Sequence, residues 1–213
     1  DQKWRNNLIK MIINSYKNHR QISHIIFNES NSGSPFIQWR KGLELATGKY
    51  VWIAESDDYS KPDFLEKCIR VLEEEESLAL AFCDTVAVDS NDQKLSVGNN
   101  RKLSDRYNAI EDKFFYNWFF LNDSFRILNA SSCVFRRSYV NERILEECPQ
   151  FKFAGDKFFW FNLISEHPLF YYIAEPLNYQ RYHNNTTRAR HGVLSEYQRN
   201  QELSIIYADY RKL

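Results

Sequence analysis

Little in this sequence breaks or staples a chain. Glycine and proline are scarce, six and five in 213 residues. No Gly/Pro/Ser-rich stretch marks a linker, so a single domain over residues 1–213 is expected. The four cysteines, Cys68, Cys83, Cys133 and Cys148, form no C-x-x-C pair and have no zinc-ligand spacing with histidine. Cys68, Cys83 and Cys133 sit in apolar runs, which predicts buried, reduced thiols and a reducing compartment, the cytoplasm. No run approaches the ~20 apolar residues of a membrane span, and no signal-peptide pattern is visible. An excess of either charge is also missing. Lys and Arg total 28, as do Asp and Glu. That balance excludes the broadly basic face of a nucleic-acid binder and leaves room for a local anion site.

What the chain has instead is aromatic and periodic. Aromatic residues make up 16% and hydrophobic residues 43%, enough for a core of large rings or a cleft that stacks on sugars or bases. Trp4, Leu8, Met11/Ile12 and Ser15/Tyr16 predict an amphipathic helix over 4–18. Residues 24–27 read as a short buried strand and 28–34 as a loop. Ser34-Pro35 is an N-cap followed by proline at the first helical position, and Phe36, Trp39, Leu43 and Ala46 continue the stripe until Gly48. Residues 50–54 read as a buried strand. Pro62 opens another helix, striped by Leu65, Cys68/Ile69 and Leu72, and 78–88 is a third strand. This alternation predicts parallel strands joined by crossover helices. Residues 89–106 read as a polar loop or hairpin. Later come a strand over 131–136, a helix over 156–165 that is apolar nearly all round and therefore buried, strands over 169–172 and 177–182, and a helix over 194–211.

One motif carries chemistry on its own. Ala54-Glu55-Ser56-Asp57-Asp58 lies where the strand over 50–54 runs out, and open parallel sheets bind ligands at the carboxyl ends of their strands. Three carboxylates in four residues repel one another unless a cation or strong donors share the site. Alternate residues of an extended segment point the same way, which lets Glu55 and Asp57 converge on one ion. Hard oxygen ligands with open positions suit Mg²⁺ or Mn²⁺ holding a diphosphate. A solvated acidic turn that caps the Pro62 helix is the competing explanation.

Three blocks in order resemble the large family 2 of inverting glycosyltransferases with the GT-A fold. The first runs from Asn31-Ser-Gly33 through Gly42-Leu-Glu-Leu-Ala-Thr-Gly48-Lys-Tyr50 to Glu55-Ser-Asp57-Asp58-Tyr59 and Pro62-Asp-Phe-Leu65. It is similar to the family's N-x-G loop, A-x-G-x-Y turn and D-x-D-D. The second, Gly155-Asp156-Lys-Phe-Phe-Trp160, resembles its G-D-x-x-F-W helix start. The third, Glu175 to Arg188, resembles its Y-R-x-H segment. The resemblance implies an α/β fold, GT-A-like, with a mostly parallel mixed sheet flanked by helices. It implies transfer of a sugar from a nucleoside diphosphate sugar to a glycan or lipid-linked acceptor, with inversion. By the same resemblance Asp156 is the catalytic base. Glu55, Asp57 and His183 hold Mg²⁺ or Mn²⁺, and Asn31, Gly33, Asp58, Arg181 and Arg188 contact substrate. Surface polysaccharide synthesis and peripheral contact with the inner face of the membrane follow from what such families act on. Glu55 stands where the family usually has Asp, and Phe36 to Lys41 replaces its A-R-N. The family's opening strand-helix-strand, ~30 or more residues, has no counterpart here, so those nucleotide-binding elements are expected to lie ahead of Asp1.

Each of these residues also has a plain explanation. An Asp in a first helical turn complements the helix dipole. Yet Asp156 precedes Phe158, Phe159 and Trp160, and an apolar edge raises a carboxylate's pKa as a general base requires. His183 is one of five histidines and stands beside Arg181 and Arg188; Arg188 and Arg190 are either diphosphate contacts or surface charge. The aromatic run over 114–121 is core, partner contact or acceptor groove. Two other functions compete. A non-catalytic sugar-nucleotide or glycan-binding module is favoured by Glu55 and opposed by Asp156 and His183. A phosphotransferase of the haloacid dehalogenase type requires its acidic motif on the first strand, which this sequence does not provide.

Overall fold

Helix and strand alternate much as the sequence pattern predicts. The structure is a computed structural model that describes residues 2–97, 105–108, 127, 129–183 and 187–210. The chain divides into two compact units, Asp1–Gly33 and Ser34–Leu213. The first unit begins with α1 (Gln2–Ser15). Residues 24–27, expected as a strand, are irregular, with Ile26 52% and Phe27 38% exposed. So short an apolar run becomes a strand only where a neighbour completes its hydrogen bonds. Here Phe27 instead lies under Lys10, whose Nζ is 5.5 Å from the ring centroid. The unit closes in a turn. Gly33 adopts φ 82°, which glycine permits at little cost, and its N–H donates to Asn31 Oδ1 at 3.0 Å.

The second unit opens with α2 (Pro35–Leu45). The Ser34 hydroxyl accepts the Phe36 N–H at 3.2 Å and donates to the Phe151 carbonyl at 2.6 Å, so one side chain caps the helix and ties it to a distant loop. There follow β1 (Tyr50–Trp52), β2 (Tyr59–Ser60), α3 (Phe64–Glu74), β3 (Leu80–Val88), β4 (Lys94–Val97), β5 (Asp105–Asn108), β6 (Cys133–Arg136), α4 (Glu142–Glu147), α5 (Gly155–Glu166), β7 (Leu169–Arg181) and α6 (Thr187–Tyr210). α6 breaks at Gly192, where φ is 51°. The buried stripe of α3 is Phe64, Cys68 and Leu72, at i, i+4 and i+8 on one face; Leu65, expected on it, is turned about 100° from Phe64 and is 38% exposed.

The strands form one sheet in the order β1-β6-β3-β7-β2, with β4 on β3 and β5 on β7. Among the described residues β3–β7 is the parallel pair, and the other pairs are antiparallel. Because β6 is antiparallel to both β1 and β3, those two run in the same direction and β7 joins them. The crossover helices therefore set strand direction as expected, while β6 inserts between strands that the alternation alone would make neighbours. The two strands expected over 169–172 and 177–182 are one, β7. Its register shifts opposite Cys83, Asp84 and Thr85, where Ile173, Pro176 and Asn178 are the partners. Pro176 cannot donate to a ladder, and a bulge accommodates it.

β3 alternates between two cores, as a pleated strand must. Leu80 and Phe82 pack with α5 residues Phe158, Phe159, Trp160 and Ile164. Ala81 and Cys83 pack with Phe64, Cys68 and Leu72 of α3. The sheet thus separates α3 from α5, a three-layer arrangement. Arg136 is buried and caps the C-terminal end of α3, donating from Nη2 to the Leu72 and Glu75 carbonyls and from Nε to the Leu78 carbonyl. A cation there meets the negative end of the helix dipole. All four cysteines are free and buried, as the apolar runs around Cys68, Cys83 and Cys133 predict for those three. No described helix is long and apolar enough to cross a membrane. The aromatic run over 114–121 lies outside the described residues.

Candidate active site

The acidic motif forms a turn directly after β1. The Asp58 N–H donates to the Glu55 carbonyl at 3.2 Å, and the chain then enters β2. Pairing of Tyr59 with Tyr179 and Ser60 with Asn178 lays this turn against the last residues of β7. Five contacts gather around this junction. His183 Nε2 and Asp57 Oδ2 lie 3.0 Å apart, with 25% and 42% of the two side chains exposed. The Arg181 N–H donates to Asp58 Oδ1 at 3.1 Å. The Arg181 guanidinium donates to the Asp57 carbonyl at 3.1 Å, to the Asp89 carbonyl at 3.2 Å and to Asp92 Oδ1 at 2.8 Å. Arg181, expected to contact substrate, joins the acidic turn to the β3–β4 turn and directs its donors to the protein.

Asp58 is held from the inside. Its Oδ2 accepts from Asn129 Nδ2. Asn129 Oδ1 in turn accepts from Asn178 Nδ2 at 2.8 Å and Thr85 Oγ1 at 3.3 Å. Asn178, Asn129 and Thr85 are buried, so each depends on the others for satisfaction. Burial raises the Asp58 pKa above its ordinary value. The hydrogen bonds from the Arg181 amide, Asn129 and Ser131 oppose that shift, and the neighbouring Asp57 charge adds to it. Glu55 is anchored by its backbone, its N–H donating to Ser131 Oγ at 3.0 Å, while Trp52 Nε1 donates to the Ser131 carbonyl at 2.9 Å. Asn129 and Ser131 have no local signature in the sequence; a polar pair flanking the 131–136 strand is the one available signal.

The structure brings Asp57 and His183 together but does not gather a full ligand set. Among the described residues no three His, Cys, Asp or Glu side chains are grouped so as to hold a metal ion, so Glu55 does not join the pair. The donor chemistry of the pair nevertheless suits a divalent cation. Two adjacent ligands at ~2.1 Å in an octahedron stand ~3.0 Å apart, and Mg²⁺ is held through one or two carboxylates beside substrate phosphates, of which Asp57 supplies one. Asn31 and Gly33 belong to the first unit and make their own turn. The backbone of Arg188 is in the first turn of α6, and its side chain lies outside the described residues.

Asp156 stands in the first turn of α5, half-buried, its Oδ1 accepting the Lys157 N–H at 2.8 Å. The loop ahead of it is closely fixed. A Cβ on Gly155 would lie 2.4 Å from the Phe36 ring, so only glycine fits that approach. Cys148 Sγ donates to the Gly155 carbonyl at 3.3 Å. Glu202 of α6 accepts the N–H groups of Lys152, Phe153 and Ala154 at 2.8, 2.9 and 2.7 Å, an arrangement the sequence does not announce.

Comparison with known proteins adds the following. The model of the family described as glycosyl transferase family 2 matches residues 8–144, a span that includes Glu55, Asp57 and Asp58 and stops short of Asp156 and His183. Three crystal structures of S. aureus TarS are similar. TarS 1–349 in complex with UDP-GlcNAc has a TM-score of 0.64 at 14% identity, over 93% of this chain and 53% of that one. TarS 1–349 has a TM-score of 0.57 at 16% identity, over 80% and 47%. TarS itself has a TM-score of 0.58 at 14% identity, over 92% and 31%. The chain therefore spans 31% to 53% of the length of these structures, and the likeness is one of fold. No curated protein matches the chain.

Proposed function

The chain belongs to glycosyl transferase family 2, and from that premise we propose that it transfers a sugar from a nucleoside diphosphate sugar to an acceptor hydroxyl, with inversion at the anomeric carbon. The observation that carries this reading is the approach of His183 Nε2 to Asp57 Oδ2, 3.0 Å, where the acidic turn meets the end of β7. A Mg²⁺ or Mn²⁺ ion held by Asp57 and His183 would offset the charge that develops on the departing diphosphate. Arg181 and Asn129 keep the turn in place, so that Asp57 faces solvent while Asp58 faces the protein. Asp156 accepts the proton of the acceptor hydroxyl as its oxygen bonds to the anomeric carbon. The bond from that carbon to the diphosphate breaks, and its electron pair leaves with the diphosphate. TarS, similar in fold, has a complex with UDP-GlcNAc, which makes a uridine diphosphate sugar the first donor to try. A glycan or lipid-linked acceptor, and a place in surface polysaccharide synthesis, are part of the same reading.

Calorimetric titration of the intact protein with UDP, UDP-sugars and dTDP-sugars, with and without Mn²⁺, tests it. Micromolar binding that requires Mn²⁺ and is lost in Asp57→Asn and His183→Ala is the expected result. Equal binding by wild type and both variants would refute the metal role. Binding with no transfer to any glycan acceptor would favour the non-catalytic module.

A further inference from the structure

We propose that Glu202 is a positioning residue for Asp156, fixing the loop from which that carboxylate reaches the acceptor; the proposal rests on the reading of Asp156 as the base. α5 begins without ordinary local capping. Its N-cap is Ala154, which has no side chain to accept a hydrogen bond, and alanine is a poor cap for that reason. The acceptor comes instead from 48 to 50 residues away. Glu202 Oε1 takes the Lys152 N–H, and Oε2 takes those of Phe153 and Ala154. Three consecutive backbone donors thus converge on one carboxylate, and hydrogen bonds to an ionised acceptor are roughly twice as strong as neutral ones.

The loop has other anchors, and the side chains of Phe153 and Ala154 are buried. Ser34 holds the Phe151 carbonyl. Cys148 and the Phe36 ring hold Gly155. The backbone N–H groups between, at 152 to 154, are met by Glu202, and Asp156 follows two residues later. The docking of α6 does not depend on this carboxylate. Leu203 and Ile206 are buried, and Asp209 pairs with Arg143. Replacing Glu202 should therefore release the loop while the helix stays seated. Glutamine is a demanding probe, because its Nε2 would present a donor to at least one of the N–H groups that the carboxylate accepts.

The test is a double-mutant cycle in the intact protein, comparing wild type, Glu202→Gln, Asp156→Asn and the double variant, with Glu202→Asp as the version that keeps the charge. Glu202→Gln should lower kcat by about 10- to 100-fold, the scale of a small misplacement of a reacting group. Donor affinity should be unchanged, Glu202→Asp should recover part of the loss, and amide exchange at 152–154 should quicken. The double variant should be no slower than Asp156→Asn, since Glu202 acts through Asp156. Full turnover in Glu202→Gln beside an inactive Asp156→Asn would overturn the role of Glu202 and leave the base reading intact. Full turnover in Asp156→Asn would overturn the base reading and this proposal with it. Additive losses, or unchanged exchange at 152–154, would show that Glu202 does not work through the loop.

Discussion

The turn after β1 and the loop before α5 both lead into a carboxylate with a proposed chemical role, and they are secured in opposite ways. At the turn, side chains from neighbouring strands do the holding. Arg181 reaches from β7, and Asn129 relays the contacts of Thr85 in β3 and Asn178 in β7 to Asp58. At the loop, the main chain is what is held, by one carboxylate from α6 and by a glycine pressed on an aromatic ring. The first arrangement is a buried polar network, which fails when any member loses its partner. The second depends on close approach of backbone, which fails when atoms are added.

The largest effect expected from disturbing either region is on rate. Asp156→Asn is nearly isosteric and keeps a hydrogen-bonding group at the helix start. Turnover should fall by about 10²–10⁴-fold, the usual loss of general-base catalysis, while melting temperature and donor binding stay close to wild type. Retained turnover, or a large drop in melting temperature, would reduce Asp156 to a helix-start residue and dissolve the contrast.

Asn129→Ala attacks the network and should cost about 3 kcal/mol, since buried groups left unpaired cost ~1–3 kcal/mol each. Its pH dependence sharpens the point. Because burial raises the Asp58 pKa, the folded state holds that proton where the unfolded state has released it. The contribution of Asp58 to stability is therefore greatest at low pH and falls as pH rises from the ordinary carboxylate range through the raised value. Asn129 stabilises the ionised form, so the deficit of Asn129→Ala should be largest at neutral pH and shrink on acidification through that window. Urea titrations of both proteins at pH 7 and in that acid window would measure it; a deficit independent of pH would detach Asn129 from the Asp58 charge.

Gly155→Ala adds the atom that the loop excludes. Alanine gains up to about 1 kcal/mol in helix propensity. The added methyl would press on a buried ring that also packs edge-on against Trp39, with centroids 5.0 Å apart, and overpacking costs ~1–3 kcal/mol. We expect the clash to prevail and the melting temperature to fall by a few degrees; an unchanged value would mean that Phe36 yields freely. The smallest effect is at the cysteines. Burial pushes the Cys68 thiol up to about 12 and raises Cys83, Cys133 and Cys148 as well. Thiol reagents at pH 8 should label none of them in the native protein and four after denaturation.

The acidic turn was legible in the sequence because its chemistry is local: crowded carboxylates after an apolar run, and a histidine in a recognisable later block. Asn129 and Glu202 were not, because a lone Asn or Glu acquires its meaning only from partners tens of residues away. The same limit applied to the sheet. Alternation predicts that β1 and β3 share a direction, but hydrophobic runs do not name their neighbours, so neither the parallel pairing of β7 with β3 nor the insertion of β6 is legible there. Residues 24–27 looked like a strand because apolar runs of four look alike whether or not a partner edge exists. On α3 the pattern places Cys68 and Leu72 on the inward face correctly and errs only in its first member, which is Phe64 and not Leu65.

β7 has a consequence for how this protein assembles. It pairs with β2, β3 and β5, yet it occupies residues 169–181, far along the chain from all three. Until it docks, the two residues of β2 have no edge to join, and Asp57 and Asp58 have neither His183 nor Arg181. Contacts of such long sequence separation are entropically costly to close and slow to form. The acidic turn is therefore among the first segments of the second unit to leave the ribosome and among the last to reach its native geometry.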